Sequence, residues 1–308
     1  MGIPLISLEG DDATVARHVR EACSTLGFFY VVDHGIAPDM VQGTFDWAAR
    51  LFAQPLAAKE AVGLKGNRGW EGIGAQTLDA GAKPDQKESF YSGIEHGPDH
   101  PYVQAGYHGY GANLWPDGLP GFAEHMLAYT AAQVALCERL MRHLARSLDL
   151  PADYFDHTMA HPLATLRLCR YPPHPADATE DTFGAGAHTD WGAITIVAQD
   201  DLGGLQVQAP DGAWLDATPV RGSFVVNLGD MIPRWTNGRY RSNLHRVINA
   251  NPTKRDRYSI PFFYSPDFLA RIEAVPGTVA PGEPPRFAPC TAGEHLAEMY
   301  RKTYGLAA

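Results

Sequence analysis

The segment Gly186-Ala187-His188-Thr189-Asp190-Trp191-Gly192 leads into the β-branched run Ile194-Thr195-Ile196-Val197. β-Branched residues favour extended backbone, so the segment reads as strand. Side chains alternate along a strand, which lets His188 and Asp190 leave one face side by side. An imidazole and a carboxylate placed so are half of a metal site. The other half would be a histidine from a distant strand, and His245, in Ser242-Asn243-Leu244-His245-Arg246-Val247, is the strongest candidate. Two histidines and one carboxylate on one face of a metal, with its remaining positions open, is the ligand set of non-haem Fe(II) chemistry.

A His-x-Asp pair alone is weak evidence, and a third ligand adds little in a chain with 13 histidines. Arg257-Tyr258-Ser259 adds more. Period two puts a guanidinium and a hydroxyl on one strand face, where Arg can grip a carboxylate with two parallel bonds and Ser can add a third. Alone, Arg-x-Ser is usually a solvated strand face. After His-x-Asp and His, in that order, it reads as a clamp for a carboxylate co-substrate.

With these residues in place the chain resembles the Fe(II)/2-oxoglutarate-dependent dioxygenases, in the branch similar to isopenicillin N synthase. The resemblance also rests on Ile3-Pro4-Leu5-Ile6-Ser7-Leu8, Gly27-Phe28-Phe29-Tyr30-Val31-Val32-Asp33-His34-Gly35 and Asn113-Leu114-Trp115-Pro116. Leu166-Arg167-Leu168-Cys169-Arg170-Tyr171-Pro172-Pro173 and Asn237-Gly238-Arg239-Tyr240-Arg241-Ser242 complete it. It implies Fe(II) on His188, Asp190 and His245, with 2-oxoglutarate and O2 as co-substrates and succinate and CO2 as products. It implies that Arg257 and Ser259 receive the distal carboxylate of 2-oxoglutarate, with Tyr171 as a third contact. Relatives that halogenate replace the carboxylate ligand by a small residue, so Asp190 points to hydroxylation, desaturation or ring formation. The pattern departs at Cys169, where many plant members have asparagine. A thiol is a poor donor, so a rearranged keto-acid pocket is expected on that side.

Candidate substrate contacts are Arg167, on the inward face with Cys169 and Tyr171, then Trp191 beside the ligand turn, and Phe263 in phase with Arg257 and Ser259. For each, core packing or a structural ion pair is the competing reading. Two other functions stay open. One is an oxidase resembling isopenicillin N synthase or aminocyclopropane carboxylate oxidase that uses no 2-oxoglutarate. The other is a non-catalytic, metal-bound binding protein on the same scaffold.

The rest of the chain fits a large core. Asp11 or Asp12 caps a helix over 11–26 that Gly27 stops, Phe28 to Val32 is a strand, and Pro38 opens a helix to about Ala53. Residues 63–118 are rich in Gly, Pro, His and Tyr, with one strand over Lys87 to Ser92. They lack a phosphate-loop pattern, and the resemblance makes them the cover of the substrate mouth, with Trp70 to Gln76 and Phe90 to Ile94 as its roof. Helices are expected over 119–150 and 151–159, then strands over 164–171, 186–199, 204–208, 223–228, 243–249 and 257–264, and a helix over 291–304. Many short strands in one run argue for a jelly roll, and the resemblance implies the double-stranded β-helix form. The expected fold is therefore α+β with a mainly β core, residues 1–118 forming the N-terminal region and 119–308 the catalytic unit.

A formal net charge of -10 repels a phosphate backbone and argues against a nucleic-acid partner. No apolar run is long enough to span a membrane. The four cysteines show no paired spacing and the N-terminus no leader pattern, which suits a cytoplasmic protein with reduced thiols. A small-molecule substrate is expected. Its identity and the oligomeric state are not legible in the residues.

Overall fold

The computed structural model describes residues 2–77, 83–173, 182–248 and 254–304. The chain opens with β1 (Leu5–Ser7), α1 (Asp12–Thr25), β2 (Phe28–Val32), α2 (Pro38–Phe52) and α3 (Leu56–Glu60). β3 (Gly69–Glu71), β4 (Glu88–Gly93), α4 (Pro101–Gln104) and the long α5 (Phe122–Ser147) follow. Next come β5 (Pro162–Tyr171), β6 (Ala185–His188), β7 (Ile194–Gln199), β8 (Leu205–Gln208), β9 (Trp214–Asp216) and β10 (Phe224–Leu228). The chain continues through α6 (Met231–Trp235), β11 (His245–Val247), β12 (Arg257–Asp267), β13 (Arg271–Ile272), β14 (Cys290–Thr291) and α7 (Ala292–Tyr304).

An eight-stranded sheet in the order β1-β2-β10-β7-β12-β5-β4-β3 packs on a four-stranded sheet, β6-β11-β8-β9. The N-terminal strands extend the large sheet at both edges. Strand alternation divides its side chains between two cores. Phe29, Val31, Leu166 and Phe262 pack with helices α1, α2 and α5, which contribute Val19, Leu51, Met126 and Leu140. Phe28, Tyr30, Tyr171 and Val225 point the other way and meet Leu205, Val207 and Val247 of the small sheet. Each fully buried Phe or Leu contributes about 1.5–3 kcal/mol. The result is an α+β fold with a jelly-roll β core and flanking helices.

Local signals place the first elements. Asp11 caps α1 by accepting the Thr14 N–H at 2.9 Å. Gly27 ends it at φ +68°, and its N–H reaches the Ala22 carbonyl at 2.9 Å. A Cβ at Gly27 would sit 2.2 Å from the Arg241 carbonyl oxygen. The left-handed backbone alone costs a side chain roughly 1–2 kcal/mol. Gly27→Ala is therefore expected to lower the unfolding free energy by more than that cost, read as a lower urea midpoint with an unchanged m-value.

Two expectations are corrected. The strand expected over 186–199 is two strands, β6 and β7, in different sheets. The chain crosses between them through Gly192, where a Cβ would lie 2.2 Å from Ser265 Oγ. The helix expected over 151–159 is only a 3-10 turn, Asp156–Met159. It is too short to nucleate an α-helix, and both the amide and the hydroxyl of Thr158 bond the Phe155 carbonyl and tighten the turn.

Candidate active site

β6 and β11 pair antiparallel with His188 directly opposite His245, which sets their rings 4.3 Å apart between centroids. Asp190 lies two residues past the end of β6, just before the bend at 191–193. Asp190 Oδ2 accepts a hydrogen bond from Asn227 Nδ2 at 2.7 Å. That leaves Oδ1 facing His188 Nε2 at 3.8 Å and His245 Nε2 at 3.6 Å. His188 Nδ1 is 2.7 Å from the Gly186 carbonyl and His245 Nδ1 is 3.3 Å from the Asn243 carbonyl. A carbonyl only accepts, so each Nδ1 carries the proton and each Nε2 turns a lone pair to the centre. Burial, and then the neighbouring His245, push the His188 imidazole down to about 3, which keeps it neutral. One ligand atom from each of the three residues lies within 4.8 Å of the others. Two neutral nitrogens and one carboxylate oxygen suit Fe(II).

Asn227 is absent from the motif reading. It sits on β10, whose register sets it opposite Thr195 of β7, and nothing local marks it as a support for Asp190. Asn227→Ala should release Oδ2 and lower metal affinity by roughly 10–100-fold, read by competition with a metal-binding dye.

The clamp pair lies on β12, where Arg257 is opposite Tyr171 and Ser259 opposite Cys169 of β5. Arg257 is 2% exposed. Its Nε donates to the Gly203 carbonyl, its guanidinium lies 4.8 Å from the Tyr171 ring centroid, and its Nη1 has no hydrogen-bond partner. Among the described residues no carboxylate pairs with it. A buried cation with an unused donor calls for an anionic acceptor. Arg257, Ser259, Tyr171 and the three ligand residues line one cavity.

Two family models match the chain. That of the 2OG-Fe(II) oxygenase superfamily covers residues 162–266, and that of the non-haem dioxygenase in morphine synthesis N-terminal region covers residues 3–118. The chain is 41% identical to the 2-oxoglutarate-Fe(II) type oxidoreductase hxnY of Emericella nidulans, over 96% of this chain and 86% of that protein. It belongs to the 2OG-Fe(II) oxygenase superfamily. Among solved structures, a full-length Neurospora crassa protein in complex with alpha-KG aligns at TM-score 0.86 and 33% identity, over 98% of this chain and 96% of that one. JOX2 in complex with 2OG, Fe and JA aligns at TM-score 0.83 and 29% identity, over 100% of this chain and 87% of that one.

This oxygenase is thus a non-haem Fe(II)- and 2-oxoglutarate-dependent enzyme acting on small molecules, with O2 as the other co-substrate. The relatives are 2-oxoglutarate enzymes, which sets that reading above a 2-oxoglutarate-free oxidase or a non-catalytic binding protein.

The remaining candidates divide. Arg167 and Phe263 line the oxygenase cavity, whereas Trp191 does not. The Trp191 ring packs edge-on against Tyr300 of α7, and its carbonyl lies 3.1 Å from His295 Nε2. Cys169 lines the cavity, with its sulfur 3.8 Å from Ser89 Oγ. The roof also differs in detail from expectation. Phe90 faces the helix-side core beside Trp115 and Phe122, and the Trp70 indole donates to Glu88. Glu71, Gln76 and Tyr91 are the residues from these segments that reach Arg167.

Lys87 and Asp85 were not legible as site residues. Lys87 lines the cavity and pairs with Asp85, whose other oxygen accepts the Gly186 N–H at 3.0 Å. Asp85 thereby ties the N-terminal region to the strand that carries His188. Burial, and then the Arg167 charge, pull the Lys87 ammonium below its ordinary value, while Asp85 opposes them. The only sequence signal was a charged residue in phase with Ser89 and Tyr91, and which face was inward needed the tertiary structure.

Proposed function

We propose that His188, Asp190 and His245 hold Fe(II), that Arg257 and Ser259 receive the distal carboxylate of 2-oxoglutarate beside Tyr171, and that the enzyme hydroxylates or desaturates a free small metabolite. The observation that carries the reading is the buried Arg257 guanidinium, without a carboxylate ion pair among the described residues, sharing one cavity with the three candidate ligand residues. Iron with 2-oxoglutarate and O2 supplies an oxidant that removes hydrogen from a C–H group, leaving succinate and CO2. The chain's own residues do the positioning. Asn227 holds Asp190 so that one oxygen faces the two imidazoles. Tyr171 stacks on Arg257 and fixes its plane. Val197, Leu205, Val247 and Phe263 give the cavity apolar walls that exclude water.

We assign residues 1–118 to the substrate mouth and 119–308 to the catalytic unit. Support comes from Glu71, Gln76 and Lys87, which approach the cavity from the N-terminal region. A small substrate is in keeping with the neighbouring structures, where the Neurospora crassa protein is also solved with thymine and with 5-formyluracil. A nucleic-acid partner is disfavoured by the net charge of -10 and by the engagement of Arg234, Arg239 and Arg246 with Ala288, Gly277 and Gln206. No described helix is long and apolar enough to cross a membrane. The cysteines, all free, suit a reducing compartment such as the cytoplasm.

The test is a metabolite screen that reads succinate release. Small acids and neutral metabolites should include substrates. Coupled turnover only with a peptide or an oligonucleotide would refute the small-metabolite reading.

A further inference from the structure

Three cations line the cavity, Lys87, Arg167 and Arg257, and they are not equivalent. Arg257 has no carboxylate partner among the described residues and keeps Nη1 unused. Lys87 is paired with Asp85, and the two side chains are 3% and 1% exposed. Arg167 has Glu71 at 3.7 Å, Gln76 Oε1 at 2.8 Å and Ser89 Oγ at 3.0 Å. Three carboxylates, Asp85, Glu71 and Asp190, therefore stand against the three cations. Metal-bound imidazoles are neutral. Fe(II) and doubly charged 2-oxoglutarate bring equal and opposite charge. Counted over these six side chains, Fe(II) and 2-oxoglutarate, the site carries no net charge before the prime substrate arrives.

A charged group entering such a cavity leaves water without gaining a counter-charge, which is strongly unfavourable. An uncharged group with hydrogen-bond acceptors meets no such penalty. Lys87 has three N–H donors and gives one to Asp85, so it can bond an acceptor without disturbing the balance. The Arg167 fork stands across the same wall, its strand neighbour Tyr91 beneath the guanidinium at 4.7 Å.

We propose that the prime substrate is uncharged in the part that enters the site and carries acceptors, such as ring or amide carbonyl oxygens, that Lys87 and Arg167 receive as charge-balanced donors. The proposal rests on the metal and 2-oxoglutarate assignments given above. It makes Lys87, Arg167 and their acids the determinants of substrate charge.

The experiment measures binding by calorimetry on protein loaded with Mn(II) and 2-oxoglutarate without O2. The probes are thymine and matched amide and carboxylate pairs, namely benzamide with benzoate, phenylacetamide with phenylacetate, and hexanamide with hexanoate. Neutral members should bind, and each that binds should exceed its acid by at least about tenfold. Glu71→Gln leaves Arg167 with an unbalanced charge and should move the ratio toward the acid by about tenfold. Asp85→Asn, which unbalances Lys87, should move it the same way, and serves if Glu71→Gln does not fold. Acids that bind better than their amides, no binding by any neutral probe, or ratios unmoved in the variants would overturn the proposal. Binding of 2-oxoglutarate is followed in the same titrations. If it fails in the wild type, the earlier assignment falls and this proposal with it. If it is normal while acids are preferred, this proposal falls alone.

Discussion

Asp190→Ala is expected to abolish substrate-coupled succinate release, and His188→Ala with His245→Ala to remove tight Fe(II) binding. These are the largest effects expected in the molecule. The three residues would contribute the ligand atoms themselves, and theirs is the one three-ligand cluster among the described residues. The loss should exceed the roughly 10–100-fold expected when only an outer support such as Asn227 is removed. Anaerobic calorimetry with Fe(II) checks it. Unchanged affinity in the double-histidine variant would sink the ligand assignment. Zinc found at the site would not, because these ligands also accept zinc.

Arg257→Ala is expected to raise the 2-oxoglutarate requirement by about 30-fold or more. Removing one partner of a buried charge pair costs roughly 2–5 kcal/mol, because the other charge is left without compensation. Here the buried carboxylate would be that of the co-substrate. Ser259→Ala should cost less, on the order of 1–3 kcal/mol, since it removes a single hydroxyl donor. Arg257→Lys should rescue only in part, because an ammonium lacks the planar fork and the stacking on Tyr171. The measurement is the 2-oxoglutarate dependence of succinate release at saturating substrate. A wild-type dependence in Arg257→Ala would return the reading to an oxidase that does not use this co-substrate.

The chemistry of the site was legible because its main signals are close in sequence. His188 and Asp190 are two residues apart, as are Arg257 and Ser259, and the order of the two pairs around His245 is informative in itself. The strand inferred for the first pair is shorter than expected. Asp190 lies two residues past the strand end, and the chain then turns through Gly192 into a second sheet. The three candidate ligands nevertheless converge, although the strand stops at His188. The substrate wall was less legible. Phe90 and Trp191 were reasonable aromatic candidates, but one belongs to the helix-side core and the other to the contact with α7.

Residue order alone determined the class of fold, the helix from Asp11 to Gly27, most of the jelly-roll strands, and, as candidates, the metal ligands and the carboxylate clamp. Those follow from periodicity, capping and short spacings, which are properties of neighbouring residues. Only the tertiary structure decided that His188 and His245 stand opposite each other, that Asn227 aims Asp190, that Arg257 has no carboxylate ion pair among the described residues, and that Lys87 and Arg167 each have one. These facts depend on sheet register and on which face of β4 and β5 turns inward. Register is set by the sum of burial across both sheets, and a shift of one residue would reverse every face. No short stretch of the chain contains that sum.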